Sequence, residues 1–204
     1  MSVETPETTM ERNFHELLEA RWRLERFACV GLDIDYDQIP EHIKEECGGD
    51  QKRAMETFGC IIADVTHEYV CAYKPNSAFF EAQGPEGFSA LHAIVAYIKK
   101  QYPEIPIIDD AKRGDIGTTS TMYARAIFEK LGADAVTLNP YLGKGALQPF
   151  LNYKNKGCII LCRTSNPDAG EFQDHGKESG KPLWQKVAEN VRDSWNEYGN
   201  CLLV

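Results

Sequence analysis

No stretch of this chain approaches the ~20 consecutive apolar residues of a membrane-spanning helix. The start, Met-Ser-Val-Glu-Thr-Pro-Glu, is acidic and polar where a secretory leader is basic and then apolar, so the expected address is the cytoplasm. Basic runs and basic stripes interleaved with aromatics are also missing, and the formal charge is −9, which argues against nucleic acid as a partner. That charge leaves a phosphorylated small substrate open, because local donors rather than net charge hold such ligands. Internal repeats, low-complexity segments and Gly/Ser linkers are absent. A single domain over residues 12–204 is expected, preceded by a disordered 1–11.

Cysteine is present seven times, but the spacing of a metal site is not. Cys29, Cys71, Cys158 and Cys162 lie in apolar, strand-like runs, where a free thiol packs as a small hydrophobe. Cys158 and Cys162 fall on one strand face, yet no second ligand pair follows, so reduced thiols and no metal are expected. None of His15, His42, His67, His92 and His175 stands beside a serine or cysteine in a triad-like arrangement.

What is there is a soluble globular composition, 43% hydrophobic and 26% charged, in 204 residues, enough for one sizeable core. Helical spacing of Phe14, Leu17, Leu18 and Trp22 predicts a helix over 12–25. Strands and helices then alternate. Strands are predicted at 27–32, 70–73, 105–108, 135–138, 158–162 and 201–204. Helices are predicted at 50–69, 88–102, 120–131, 144–153 and 182–198, with a polar loop over 163–181. Continuous apolar strands separated by helices mean a parallel sheet covered on both faces. An open doubly wound sheet and a closed barrel both fit. The barrel is favoured because polar residues recur at successive strand ends: Asp33, Lys74, Asp110, Asn139 and Ser165. The expected fold is therefore α/β, a (β/α)8 barrel of which six strands are present. The apolar run 201–204 is read as an interrupted strand.

The densest chemistry is Asp110-Ala-Lys-Arg-Gly-Asp115, which sets two carboxylates around Lys112 directly after the run Ile105-Pro-Ile-Ile108. Asp109-Asp110 is read as the end of that strand, and Thr118 or Thr119 as the cap of the helix beyond it. As an alternative, the segment is an ordinary surface loop of salt bridges.

Taken with Val30-Gly-Leu-Asp33, Tyr73-Lys-Pro-Asn-Ser-Ala-Phe-Phe-Glu81, Thr137-Leu-Asn-Pro-Tyr141, Arg163-Thr-Ser-Asn-Pro167 and Gly180-Lys-Pro-Leu183, the block Ile108-Asp-Asp-Ala-Lys-Arg-Gly-Asp-Ile-Gly117 resembles the orotidine 5′-monophosphate decarboxylases, in their longer bacterial-type branch. The segments run in family order from about Phe14 onward. Ile34 departs from the family's usual proline and leaves Asp33 in place.

The resemblance implies conversion of orotidine monophosphate to uridine monophosphate without a cofactor. Loss of CO₂ from C6 leaves a carbanion with no π-system to delocalise it. The site must therefore supply a fixed positive charge beside C6 and a proton for the product. Lys112, with acids that favour its ammonium form, can do both.

The resemblance also places Asp110 near the departing carboxylate, and Lys74 between Asp110 and the ribose in an array Lys74–Asp110–Lys112–Asp115. Asp33 is expected on the ribose hydroxyls and Ser165 on the pyrimidine, with Asn139 a further candidate. Asp115, Ile116 and Thr119 are expected to reach into the site of a second subunit, making a homodimer. Asp33 and Ser165 each also read as ordinary turn formers.

The nearest rival is a sister barrel decarboxylase acting on a sugar phosphate. A Schiff-base lysine is disfavoured, since that chemistry needs a neutral amine. The third is a truncated chain of little activity: the loops after strands seven and eight, which grip phosphate in such barrels, have no counterpart here.

Overall fold

Helix α1 (Phe14–Arg23) opens the structure, a computed structural model that describes residues 12–204; the expected disordered segment 1–11 lies outside the described residues. Asn13 starts α1, its Oδ1 accepting from the backbone N–H groups of His15 at 3.0 Å and Glu16 at 3.3 Å. Then come β1 (Ala28–Leu32), α2 (Glu41–Glu46) and α3 (Gln51–Thr66), the last capped by Asp50, which accepts from the Arg53 N–H at 2.9 Å. β2 (Val70–Pro75) leads into α4 (Ser77–Glu81) and α5 (Gly84–Gln101). β3 (Ile108–Arg113) leads into α6 (Gly117–Arg125), which runs on as a π-helical turn, Ala126–Leu131. β4 (Ala135–Leu138) is followed by α7 (Lys144–Leu151), and β5 (Gly157–Ile160) by α8 (Gly170–Gln173) and α9 (Leu183–Asn190). β6 (Cys201–Leu203) is the last strand.

All ladders are parallel. β1 pairs with β2, β3 to β6 pair in chain order, and a bridge between Tyr73 and Ile107 joins the two groups. Spatial order thus follows chain order across all six strands, with β1 and β6 at the edges. A doubly wound sheet reverses its order at a switch point; a barrel wall does not. The barrel reading holds.

The two faces of this wall bury different sets of side chains. Inside, Phe14 and Leu18 of α1 pack on Cys71, Ala72, Ile108 and Ala135, with Ile159 and Leu202 against them. Outside, Tyr73, Val136, Leu138, Cys158 and Ile160 meet Met55, Leu91, Ile94 and Phe150 of the helices. Each such aliphatic side chain stabilises by about 1.5–3 kcal/mol.

α1 seals the strands' N-terminal ends. The Phe14 N–H donates to the Asn155 carbonyl at 2.9 Å, and Arg21 Nε to the Val70 carbonyl at 2.8 Å. Arg12 grips the buried Asp134 carboxylate at 2.7 and 2.9 Å. The strands' other ends stay free for chemistry.

Several boundaries differ from expectation. The strand expected over 105–108 overlaps β3 only at Ile108: β3 runs from there through Asp109 and Asp110 to Arg113, with Ile107 forming a single bridge ahead of it. The short helices α2 and α4 were not anticipated, and α5 begins at Gly84, ahead of Phe88. α6 begins at Gly117 with Ile116 at its cap position and no side-chain cap bond, so neither Thr118 nor Thr119 caps it. Cys71, Cys158 and Cys162 are buried as expected, but Cys29 is exposed because β1 is an edge strand.

Gly157 is required by the α1 seal. A Cβ there meets ring carbons of the fully buried Phe14 as well as the Ala135 Cβ at 2.8 Å. Gly157→Ala should therefore lower unfolding stability by about 1–3 kcal/mol, read as a lower urea midpoint at unchanged slope.

Candidate active site

The register of β3 against β4 builds the site. Asp109 pairs with Val136 and Arg113 with Leu138, so four steps along β3 are matched by two along β4. The surplus forms a bulge that turns Lys112 into the left-handed region at φ 49°. Without the bulge, Asp110 and Lys112, two residues apart, would project from the same face in ordinary strand geometry. With it, the Lys112 ammonium folds back and donates to Asp110 Oδ1 at 2.7 Å. Lys74 arrives from the end of β2 and donates to Asp110 Oδ2 at 2.8 Å. Thr137 of β4 donates from its hydroxyl to Asp110 Oδ1 at 2.8 Å and accepts from the Lys112 backbone N–H at 2.9 Å.

Asp110 is 8% exposed. Burial by itself raises its carboxyl, but hydrogen bonds from Lys112, Lys74 and Thr137 outweigh that and hold it down at about 2. Two ammonium groups on one carboxylate leave a surplus positive charge at the strand ends, with the Lys112 side chain half exposed to an incoming ligand.

The loop beyond β3 is set by a close approach. A Cβ at Gly114 meets the Asn139 carbonyl oxygen, so only glycine lets the chain pass β4 there. Asp115 follows, bonded locally rather than to Lys112. Its Oδ1 accepts from the Ile116 N–H at 2.7 Å, and its backbone is clasped by the buried Ser120, which bonds both its N–H and its carbonyl. Among the described residues Asp115 forms no ion pair, so within one chain the array is Lys74–Asp110–Lys112. Ile116 is 71% exposed beside it, and Thr119 is exposed too.

The other expected residues stand around this centre. Asp33, exposed past the end of β1, accepts from Asn76 Nδ2 at 3.2 Å. Asn139 is exposed at the end of β4 and spends its Oδ1 on the Tyr141 N–H at 3.0 Å, a turn-capping bond. Ser165 is exposed after β5. A cleft of about 720 Å³ lined by Asn139, Tyr141, Cys162, Phe172, Leu183 and Trp195 shares only Asn139 with these residues. Its lining is mostly apolar, so the charged array, not the cleft, defines the chemistry.

Four residues were not singled out from the sequence: Thr137, Asn76, Ser77 and Asp109. Asn76 had a local signal, since an asparagine before Ser-Ala-Phe-Phe is an N-cap pattern, and its Oδ1 does accept from the Ala78 N–H at 3.2 Å. Asp109 is 2% exposed, faces α4, and accepts from Ser77 Oγ at 2.5 Å. Arg113, whose guanidinium pairs with Glu81 and lies over the Tyr123 ring at 5.1 Å, makes a second tie between β3 and α4.

A parallel barrel wall with its ionisable groups gathered at the strands' C-terminal ends is the arrangement of an α/β-barrel enzyme. Comparison narrows the class. The model of the Orotidine 5'-phosphate decarboxylase / HUMPS family matches residues 28–199. An orotidine 5′-phosphate decarboxylase of Roseiflexus castenholzii is 50% identical over 193 residues, 94% of this chain and 68% of the relative. One of Cellvibrio japonicus is 47% identical over 193 residues, again 94% and 68%. The solved Leishmania donovani OMP decarboxylase superposes with a TM-score of 0.82 at 36% identity, covering 94% of this chain and 69% of that one. This chain belongs to the orotidine 5′-phosphate decarboxylase family.

Burial pushes the Asp109 carboxyl up to about 6, only partly offset by the Ser77 bond and Arg113. Its folded value lies above its unfolded one, so the folded state keeps a proton that the unfolded state releases. Its contribution to stability is greatest below about pH 4, fades as pH rises through 6, and is flat above. Asp109→Asn should remove this slope, so that its stability relative to the parent improves by on the order of 3 kcal/mol between pH 4 and pH 7 in urea titrations.

Proposed function

We propose that Lys74, Asp110 and Lys112 form the reacting centre at which orotidine 5′-monophosphate loses CO₂ and becomes uridine 5′-monophosphate, the last step of pyrimidine nucleotide synthesis. The reaction is that of the family, a carboxy-lyase. The observation that carries the assignment is the placement of one buried carboxylate between two ammonium groups, at 2.7 and 2.8 Å, on the catalytic end of a barrel.

The steps follow from those charges. Asp110 stands where the substrate carboxylate would face it, so like charge raises the energy of the bound reactant. When the C6–carboxylate bond breaks, CO₂ departs and the electron pair stays on C6. The Lys112 ammonium, already fixed by Asp110, stabilises that pair without reorganising. An N–H bond of Lys112 then breaks as C6–H forms, and the neutral amine regains a proton from water. Because Lys112 sits in a charged pair with Asp110, a Schiff base on it is disfavoured.

Asp33 is assigned to the ribose hydroxyls, with Asn76 orienting it, and Ser165 and Asn139 to the base side. We assign the cytoplasm as its compartment, in keeping with seven unpaired thiols. No helix among the described residues is long and apolar enough to cross a membrane.

Phosphate in such barrels is held by loops after strands seven and eight, whereas the described residues carry six strands. Phosphate contacts lower the barrier at a distant centre. A polypeptide of the described six strands, expressed alone, should therefore turn over more slowly than one that carries those loops. Fused to the remaining third of the Roseiflexus relative, it should gain at least about 100-fold in kcat/KM, measured by loss of the orotate absorbance. Lys112→Ala should abolish turnover in both forms. Retained turnover in that variant would sink the mechanism.

Asp115, Ile116 and Thr119 are assigned to a neighbouring subunit's site in a homodimer. Asp115 makes no ion pair with its own Lys112 among the described residues, its Oδ1 being taken by the Ile116 N–H, and the neighbouring Ile116 side chain is 71% exposed. Mixing inactive Lys112→Ala and Asp115→Ala chains should restore about a quarter of parental activity, because one site in each mixed dimer is intact. No recovery, with mixed dimers present by native mass spectrometry, would contradict the shared site.

A further inference from the structure

We propose that Thr137 is a positioning residue for the reaction: its hydroxyl locks both the Asp110 carboxylate and the left-handed backbone of Lys112. The inference rests on the assignment of Lys112 and Asp110 as the reacting centre.

The bulge makes such a residue necessary. Between Asp109 and Arg113, β3 has more residues than β4 can pair, so the N–H of Lys112 has no place in the ladder. A part-buried N–H left without an acceptor forfeits a hydrogen bond, and a lysine at φ 49° is strained as well. Thr137 lies on β4 between Val136 and Leu138, opposite the surplus, and is 4% exposed. Its oxygen takes the orphaned N–H at 2.9 Å, and its single proton goes to Asp110 Oδ1 at 2.8 Å.

That oxygen of Asp110 is the one to which the Lys112 ammonium donates at 2.7 Å. One hydroxyl thus fixes the backbone and, through Asp110, the charged tip of the same lysine. The polarity of the arrangement is set: the Lys112 N–H can only donate and the ionised Asp110 can only accept, so the hydroxyl must accept from one and donate to the other. Valine has the same shape and neither capacity. Serine has both.

Thr137→Val should fold, since the methyl contacts of the buried position are kept. Its kcat should fall on the order of 10- to 100-fold with KM within about twofold, as expected when a charge is misplaced without loss of substrate contacts. Thr137→Ser should restore most of that loss. Independently of turnover, the Lys112 amide in the 204-residue chain should exchange its hydrogen about tenfold faster or more in Thr137→Val, and at near the parental rate in Thr137→Ser, followed by NMR.

Parental kcat in Thr137→Val, or an unchanged Lys112 exchange rate, would overturn the inference. So would a serine variant as impaired as the valine one, which also decides the matter if Thr137→Val does not fold. Turnover surviving Lys112→Ala would instead overturn the assignment on which the inference rests, whatever Thr137 does.

Discussion

A carboxylate with 8% of its surface exposed has to be solvated by the protein itself, and at Asp110 three donors do so. Removing water from an ion costs several kcal/mol, and only close, well-directed partners return it. Lys74 comes from β2, Lys112 from β3 and Thr137 from β4, so the solvation of one side chain requires three adjacent strands in register. The site and the barrel wall depend on each other. A slip of either neighbouring strand would leave a buried charge with too few partners.

The groups proposed to carry the chemistry sit on strands, and those expected to read the ligand sit on the segments beyond them. Lys74, Asp110 and Lys112 are inside β2 and β3, stiffened further by the Asp109–Ser77 and Arg113–Glu81 ties to α4. Asp33, Asn139, Ser165 and Thr119 lie past strand ends or on the first turn of a helix and are exposed. Strand positions hold a charge still while a carbanion forms. Exposed positions can adjust to a ribose and a base.

Much of this was legible from the sequence. Apolar runs marked five of the six strands closely and the approach to the third, since strands such as β2 and β4, buried along their length, show no alternation to disguise them. The helix predicted over 50–69 marked α3, and the recurrence of polar residues at strand ends pointed to a barrel. The short helices α2 and α4 were not visible, since five or six residues span too few turns to show a period. The end of β3 was misplaced for a physical reason. Two aspartates after an isoleucine run signal departure from a core when read locally, yet here both stay in the strand because Ser77, Thr137 and two lysines meet them. Helix α6 was started three residues late, at Ser120, because Thr118 and Thr119 have cap chemistry that the structure does not use.

Residue types, alternation and strand ends follow from short windows of sequence, because burial and propensity act between neighbours a few residues apart. From these alone come the α/β class and the lysine among acids; the kind of reaction came from the resemblance to a family. Which groups meet was decided only by tertiary structure. Lys74 and Asp110 are 36 residues apart and Thr137 and Asp110 are 27 apart, and strand register alone brings them within hydrogen-bond reach. The same register left surplus residues in the β3 ladder, with the Lys112 backbone left-handed among them. Pairing geometry of that kind has no local signature, since it depends on how two distant strands line up.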